Sequence, residues 1–221
     1  EIMEESRAVA DSLRGRLNLK NGQVILGGLA NVAPKLSRLK RLVITACGTA
    51  SYAGLFGTYV LEEITKIPTE LHIGSELRTR EAIFEPGTGV LAISQSGETI
   101  DTLEAIKRAK RARLLTLGIV NVVGSTIARE TEAGVYNHVG PEIAVASTKA
   151  YISQLTILVL FSLYMAQLRG VLSPTKCKKI LEAINALPRQ INLILKDRER
   201  IQKIAKKYAM YKNFFYIGRK Y

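Results

Sequence analysis

The sequence contains little cysteine and histidine and no tryptophan. Its 221 residues include two histidines and two cysteines, Cys47 and Cys177, which are far apart and lack the spacing of metal ligands. Cys47 ends an apolar, strand-like run, so we predict a buried free thiol rather than a catalytic one. This cysteine usage suits a reducing cytoplasm, and the sequence predicts neither a metal nor a cofactor.

The sequence also lacks an apolar segment at its start, where residues 1–5 read EIMEE and contain no signal-peptide core. One uncharged stretch is long, at 150–168 between Lys149 and Arg169, and its length makes it a candidate membrane span. Polar residues inside it argue against a helix that faces lipid: Ser153, Gln154, Thr156, Ser162 and Gln167. We therefore expect a helix buried in a domain or subunit interface, and no membrane partner.

Acidic residues are few compared with basic ones, and the net charge is +13. Residues 176–221 hold 13 Lys and Arg against 3 Asp and Glu, so most of the excess lies near the C-terminus. A basic face can attract nucleic acid or an acidic partner. Here the basic residues are not interleaved with aromatic ones, which favours a solvated helical face and predicts no nucleic-acid partner.

Short apolar segments rich in strand formers alternate with helical segments over the middle of the chain. Strands are predicted at 41–47, 68–74, 90–93, 114–120 and 135–139, and helices at 52–66, 75–81, 100–111 and 125–130. Such alternation is typical of a parallel sheet covered on both faces. We predict an α/β fold, a three-layer sandwich with a parallel, flavodoxin-like five-stranded sheet, whose ligands bind beyond the carboxyl ends of the strands.

The flanking segments predict four regions. Residues 1–39 form a helical connector with helices at 4–17 and 32–39, and residues 40–170 form the α/β domain. Residues 171–212 form linking helices, the first over 175–187, with Pro188 ending it and opening another that reaches about residue 207. Residues 213–221 start with a fresh strand at 213–218, which ends in Gly218. A second copy of the fold would begin there, so we expect the chain to be a fragment.

A polar turn follows the 90–93 strand and has the sequence SQSGET at residues 94–99. A strand-to-helix turn directs backbone N–H groups and the helix dipole at one point, where an anion is stabilised. Gly97 allows close approach, three hydroxyls and one amide add hydrogen bonds, and none of these groups is charged. An ordinary capped helix is the alternative, but the number of polar groups favours phosphate or sugar binding.

Two further polar turns accompany this one, at residues 48–51 and at residues 145–149. In a parallel sheet such turns converge on one side, where their side chains would surround a small, polyhydroxylated, anionic ligand. Hydrogen bonds to a charged group contribute roughly 1.5–3 kcal/mol each. A few of them account for binding in the micromolar to millimolar range, on the order of 4–8 kcal/mol.

At these turns the sequence resembles the sugar isomerase (SIS) domain of the glutamine–fructose-6-phosphate aminotransferase family. The matching motifs are ACGT at 46–49, SQSGETIDTL at 94–103 and GPEIAVASTKA at 140–150, with NVVGS at 121–125 and FYIGR at 215–219 fitting as well. The resemblance covers nearly the whole chain. It implies that residues 40–170 are the first of two SIS subdomains and that residues 213–221 start a truncated second one.

The resemblance implies an enzyme that makes glucosamine 6-phosphate from fructose 6-phosphate and glutamine without a metal or pyridoxal phosphate. It implies that Thr49, Ser94, Gln95, Ser96 and Thr99 hold the sugar phosphate, that Val145 and Ser147 touch the sugar, and that Ala50 contributes its backbone N–H where the family often has serine. Ser51 is a candidate to compensate for that missing hydroxyl.

No catalytic residue is assigned within the chain. In the family the acid–base groups lie in the second subdomain, and a separate glutaminase domain releases ammonia. His72 and His138 match none of these groups and are interpreted as structural. Glu98 is interpreted as an orienting or helix-start carboxylate, and Lys149 as a helix-start or interface residue.

The resemblance therefore predicts binding of fructose 6-phosphate or of glucosamine or glucose 6-phosphate without turnover. The expected partners are a glutaminase domain, a second SIS subdomain and a second copy of the chain, as a homodimer. Two alternatives remain open, a non-catalytic SIS sugar-phosphate sensor attached to a DNA-binding domain, and an SIS sugar-phosphate deaminase or deglycase. The domain that precedes this segment in the intact gene distinguishes the three.

Overall fold

The N-terminal segment contains both helices and a small antiparallel sheet. The computed structural model describes residues 1–79 and 84–218. Its first elements are a 3₁₀ helix at Ile2–Glu4, α1 at Glu5–Leu13, β1 at Leu17–Asn18, β2 at Gln23–Val24, a 3₁₀ helix at Gly27–Val32 and α2 at Ala33–Ser37. The predicted first helix is too long because Arg14 is extended and the Arg16 guanidinium donates to the carbonyls of Ser12 and Tyr136. These bonds turn the chain back onto the sheet.

A five-stranded parallel sheet forms the centre of the described residues. Its strands are β3 Arg41–Ala46, β4 Thr69–Ile73, β5 Thr88–Ser94, β6 Leu115–Val120 and β7 Ala133–Tyr136, in the spatial order β4-β3-β5-β6-β7. Every residue of β5 and β6 is buried, as expected for strands covered on both faces. The predicted flavodoxin-like parallel sheet is confirmed.

Helices cover both faces of this sheet, which confirms the predicted three layers. They are α3 Thr49–Thr65, α4 Gly74–Thr79, α5 Ile100–Arg111, α6 Thr126–Glu130, α7 Lys149–Leu168, α8 Pro174–Lys196 and α9 Arg198–Tyr208. Strand residues such as Leu42 and Ile44 pack on one face with α1, α3 and α7. Val43 and Val90 point the other way and pack with α5 and α6.

Several predicted boundaries differ from the observed ones. Helix α3 begins at Thr49 and not at residue 52, so the polar turn after β3 is the first turn of a helix. Strand β7 ends at Tyr136, three residues before the predicted end. Helix α4 accounts for the predicted helical turn at 75–81 as far as Thr79, and residues 80 and 81 lie outside the described residues.

Helix α7 is the long apolar helix expected from the sequence. Among the described residues it is the one helix long and apolar enough to cross a membrane, and 61% of its most apolar window is buried within the fold. Leu158, Phe161 and Leu163 are almost fully inaccessible, and α7 packs on both α1 and α3. Helix α7 is thus a core helix of this domain.

The C-terminal region differs most from the sequence-based prediction. Helix α8 continues through Pro188 to Lys196, so the predicted break at that proline is wrong. Its buried face, which includes Leu181 and Ile184, packs against α1 and outweighs one lost backbone hydrogen bond. Residues 211–218 form no regular element, so the strand predicted at 213–218 is absent there, and residues 219–221 lie outside the described residues. The predicted strand has no partner strand among the described residues, and a lone strand leaves its backbone groups unpaired.

Candidate functional site

The turn at residues 94–99 is held together by its own side chains. The Ser94 hydroxyl accepts a hydrogen bond from the backbone N–H of Gly97 at 3.0 Å and lies 3.0 Å from the Thr99 hydroxyl. The Ser96 hydroxyl accepts from the N–H of Glu98 at 3.1 Å. Ser94 is buried at the end of β5, whereas Ser96 and Thr99 are partly exposed. The turn therefore presents hydroxyl groups to solvent from a braced backbone in front of α5.

The start of α6 packs against this turn and fixes it from the side. The Gly97 carbonyl accepts from the N–H of Ile127 at 2.9 Å, and a side chain at position 97 would collide with Ser125. The Glu98 carboxylate accepts from the backbone N–H of Thr126 at 2.7 Å. Hydrogen bonds from the hydroxyl and the backbone N–H of Thr126 lower the pKa of Glu98. Glu98 thus acts as a helix-start carboxylate for α6, although it precedes α5 in the chain.

The turn lies at the point where the sheet reverses its winding. Strands β3 and β5 are neighbours, Thr45 is in register with Ala92, and the helices that follow them cover opposite faces. The carboxyl ends of these strands are therefore the switch point of the sheet, the usual ligand position in open α/β sheets. Thr49 and Ala50, at the start of α3, are partly buried beside it.

Ser51 does not replace the hydroxyl that Ala50 lacks. Its side chain is buried, and its hydroxyl donates to the carbonyl of Gly48 at 2.6 Å, within the first turn of α3. At the start of α3, the groups that remain able to bind a ligand are the Thr49 hydroxyl and backbone N–H groups.

The segment that contains the third predicted turn, residues 140–148, forms a loop held by bonds within itself, to the Glu1 carboxylate and to Asn121. The Ser147 hydroxyl donates to the Glu142 carboxylate at 2.7 Å, and the backbone N–H groups of Thr148 and Ala150 donate to the same carboxylate at 2.8 and 3.1 Å. Val145 is fully exposed. Within residues 1–79 and 84–218, no hydrogen bond joins Val145 or Ser147 to the 94–99 turn. The structure therefore places the turns after β3 and β5 on neighbouring strands, whereas the predicted sugar contacts at Val145 and Ser147 are not bonded directly to the 94–99 turn.

Asn121 connects these segments, although the sequence analysis matched it to the family only within residues 121–125 and assigned it no role. Its backbone N–H donates to the Gln95 carbonyl at 3.2 Å, and its amide group donates to the Gly140 carbonyl at 2.7 Å. It is 9% exposed and directly follows the buried strand β6. The sequence did contain a signal for this residue. A side-chain amide directly after a buried strand lies at the carboxyl edge of a parallel sheet, where ligands bind.

The remaining candidates have structural surroundings. His72 lies 3.2 Å from the Glu70 carboxylate, and the exposed His138 ring contacts that of Tyr136. Lys149 is buried and pairs with Glu4 at 2.5 Å. Of the two free thiols, Cys177 is fully buried and burial raises its pKa, whereas the thiol predicted to be buried, Cys47, is only partly so.

The groups at this edge suit hydrogen bonding to an anion. They are hydroxyls, backbone N–H groups and the N-terminus of the 12-residue helix α5. No group of three or more metal-ligating side chains was found in the part of the chain that the structure describes. These uncharged groups can form hydrogen bonds to an anion or to the hydroxyls of a ligand.

Comparisons with known proteins identify the family of the chain. A family model described as "SIS domain" matches residues 35–164. The glutamine–fructose-6-phosphate aminotransferases of Bacteroides thetaiotaomicron and Chlorobaculum tepidum are 39% and 43% identical to the chain, over all of its length and over 36% of theirs. The chain thus spans about a third of the length of these relatives.

A solved structure agrees as well. The C-terminal domain of the glucosamine-fructose-6-phosphate aminotransferase from Francisella tularensis superposes with a TM-score of 0.89 and 31% identity, over 95% of this chain and 58% of that one. The sequence is homologous to the isomerase SIS domain of these aminotransferases. Because the family model covers more than half of its residues, the chain belongs to the SIS domain family.

Proposed function

We propose that the chain is the sugar-phosphate-binding part of a glutamine–fructose-6-phosphate aminotransferase of the isomerizing type. The observation that carries this proposal is the braced 94–99 turn at the switch point of the sheet, in front of α5. A phosphate dianion placed there accepts hydrogen bonds from hydroxyls and N–H groups and faces the positive end of the helix dipole. The named activity of the homologous enzymes supplies the substrate, fructose 6-phosphate.

The proposed division of labour follows the two parts of the site. Thr49, Ser94, Gln95, Ser96 and Thr99 hold the phosphate, aided by the backbone at Ala50, while Val145 and Ser147 contact the sugar. The Ser96 hydroxyl already accepts the N–H of Glu98, so its own hydrogen is available to donate to a phosphate oxygen. The Ser147 hydroxyl donates to Glu142, so it is left to accept a hydrogen bond from a sugar hydroxyl.

The chain binds its ligand without converting it. Isomerisation requires a base within hydrogen-bond reach of the carbon that loses its proton, and the proposed binding residues are hydroxyls, an amide and apolar groups. We place the acid–base groups in a second SIS subdomain and ammonia release in a glutaminase domain, both outside this chain. The proposed regions are those of the sequence analysis: connector 1–39, first SIS subdomain 40–170, linking helices 171–212 and the start of the second subdomain at 213–221. The proposed location is the cytoplasm.

The test is a titration of the purified chain with fructose 6-phosphate. Binding is measured by calorimetry and by the NMR signals of the backbone amides of residues 94–99. Ser96→Ala should weaken binding about tenfold, because one hydrogen bond to a charged group contributes about 1.5 kcal/mol. The matched control is Ser173→Ala, since the Ser173 hydroxyl also accepts a backbone N–H, at the start of α8 and after the far end of α7.

The Ser173→Ala variant should bind like the unaltered chain. Absence of fructose 6-phosphate binding by the unaltered chain would contradict the proposed site. Robust interconversion of fructose and glucose 6-phosphates by the purified chain would show that catalytic groups lie within these 221 residues.

A further inference from the structure

Asn121 lies between the two parts of the proposed site and bonds to both. Its backbone N–H donates to the Gln95 carbonyl in the phosphate turn at 3.2 Å. Its side-chain oxygen accepts from the N–H of Val139 at 3.0 Å, and its side-chain nitrogen donates to the carbonyl of Gly140 at 2.7 Å. All three partners are main-chain groups, so Asn121 fixes the backbone of two separate segments, one at Gln95 and the other at residues 139–140.

The segment held by the Asn121 amide has an unusual backbone. His138 and Gly140, on either side of Val139, both have positive φ angles, 59° and 71°. A non-glycine residue at positive φ is disfavoured and persists only where its surroundings hold it. The two hydrogen bonds of the Asn121 side-chain amide hold the backbone at Val139 and Gly140, where the 140–148 loop begins.

The main chain and the side chain of Asn121 have separable tasks. The bond to Gln95 belongs to the backbone and survives substitution of the side chain. The bonds to Val139 and Gly140 belong to the amide and are lost with it. Removing the amide therefore frees the start of the 140–148 loop and leaves the phosphate turn attached to residue 121.

We propose that Asn121 is a positioning residue that sets the distance between the phosphate turn and the 140–148 loop, so that one ligand can engage both. The inference rests on the proposed function, because it assumes that the turn holds the phosphate and the loop touches the sugar. It predicts that the amide contributes to the preference for a hexose 6-phosphate over inorganic phosphate, and not to phosphate binding itself.

The experiment measures dissociation constants of the 221-residue chain for inorganic phosphate and for fructose 6-phosphate. In Asn121→Ala, affinity for fructose 6-phosphate should fall about tenfold, whereas affinity for inorganic phosphate should change less than twofold. If Asn121→Ala does not fold, Asn121→Asp carries the same test. That variant keeps the size and the bond to Val139, and at neutral pH it replaces the donor to Gly140 with an oxygen that repels the carbonyl.

The matched control is Gln167→Ala. The Gln167 amide also accepts a backbone N–H, from Val24 at 3.1 Å, and donates to a backbone carbonyl, that of Gly22 at 2.8 Å. It lies 18 residues along α7 from Lys149, roughly 27 Å at 1.5 Å per residue. This variant should lose stability and keep both affinities.

The outcomes separate the inference from the proposed function. An equal loss of both affinities in the Asn121 variants, or no loss of either, overturns the positioning role while the sugar-phosphate site stands. An unaltered chain that binds fructose 6-phosphate no better than inorganic phosphate overturns the proposed sugar contacts, and the inference with them. A selective loss of fructose 6-phosphate binding, absent in Gln167→Ala, supports the inference.

Discussion

At the scale of single residues, Gly97 shows how closely the site is packed. It has a positive φ of 66°, and an added Cβ would lie 2.0 Å from the Ser125 hydroxyl oxygen and 2.5 Å from its Cβ. The left-handed conformation costs an L-residue about 1–2 kcal/mol, and overpacking adds about 1–3 kcal/mol. We expect Gly97→Ala to lower the free energy of unfolding by about 2–5 kcal/mol in urea titrations.

Gly124 offers a matched comparison on the neighbouring loop. Its φ is 72°, and an added Cβ would meet no atom within 4 Å. Gly124→Ala should therefore cost only the conformational part, about 1–2 kcal/mol. If both variants lost the same free energy of unfolding, the contact between the 94–99 turn and Ser125 would not be as tight as the structure indicates.

At the scale of elements, α6 depends on a carboxylate from another segment of the chain. Because hydrogen bonds from Thr126 lower the pKa of Glu98, the bonded carboxylate favours the folded state. This contribution is present above the pKa that Glu98 has in the unfolded chain, near 4.5, and is lost as the pH falls through the lower folded-state value. Glu98→Gln should thus melt at a lower temperature than the unaltered chain at pH 7, and the difference should shrink towards pH 3.

The control for this comparison is Ser173→Ala, because the Ser173 hydroxyl also accepts a backbone N–H at the start of a helix, α8, but does not ionise. The melting difference between this variant and the unaltered chain should stay the same from pH 7 to pH 3. A Glu98→Gln difference that grew on acidification would have the wrong sign for a carboxylate stabilised in the folded state.

Helix α8 contains a proline that its tertiary contacts tolerate. Proline inside a helix costs about 3 kcal/mol relative to alanine, and part of this is regained because proline restricts the unfolded chain by about 0.4–1 kcal/mol. We expect Pro188→Ala to raise the free energy of unfolding by about 2–2.5 kcal/mol. Pro174 is at the first position of the same helix, where a backbone N–H would have no partner within the helix. Its missing N–H therefore costs nothing, and Pro174→Ala should not stabilise the chain.

At the scale of the whole molecule, apolar surface is concentrated towards the C-terminus. Helix α9 has no buried residue, and exposed large side chains lie on it and beyond it: Ile201, Ile204, Phe214, Phe215, Tyr216 and Ile217. An apolar cleft of about 250 Å³ lies between α7 and α8, lined by Ile152, Val159 and Ile184 among others. Exposed surface of this kind marks interaction sites, and it supports the proposed homodimer.

We expect the purified chain to self-associate in light-scattering measurements as its concentration rises. The double substitution Ile201→Ser and Ile204→Ser should weaken association, since it removes apolar area from α9. Ile25→Ser, at a half-exposed site in the N-terminal segment, should not. A clean monomer at high concentration would contradict the expected association.

Local sequence patterns determined the sheet, most helices and the 94–99 turn. The apolar run before Ser94, the small polar residues after it and the spacing of Ile100, Leu103 and Ile106 are each read within a few residues. Apolar runs and helix periodicity are local properties, so α5 was predicted to the residue and β5 was predicted to within two residues at each end.

Only the tertiary structure decided which of these segments touch. Asn121 bonds to residues 26 and 19 positions away, and Ser51 bonds back to Gly48 although its position suggested a role at the site. Helix α8 passes Pro188 because α1 packs on its other residues, and the strand predicted at 213–218 does not form without a neighbour. Backbone hydrogen bonds and packing partners come from distant parts of the chain, and a local pattern contains no information about them.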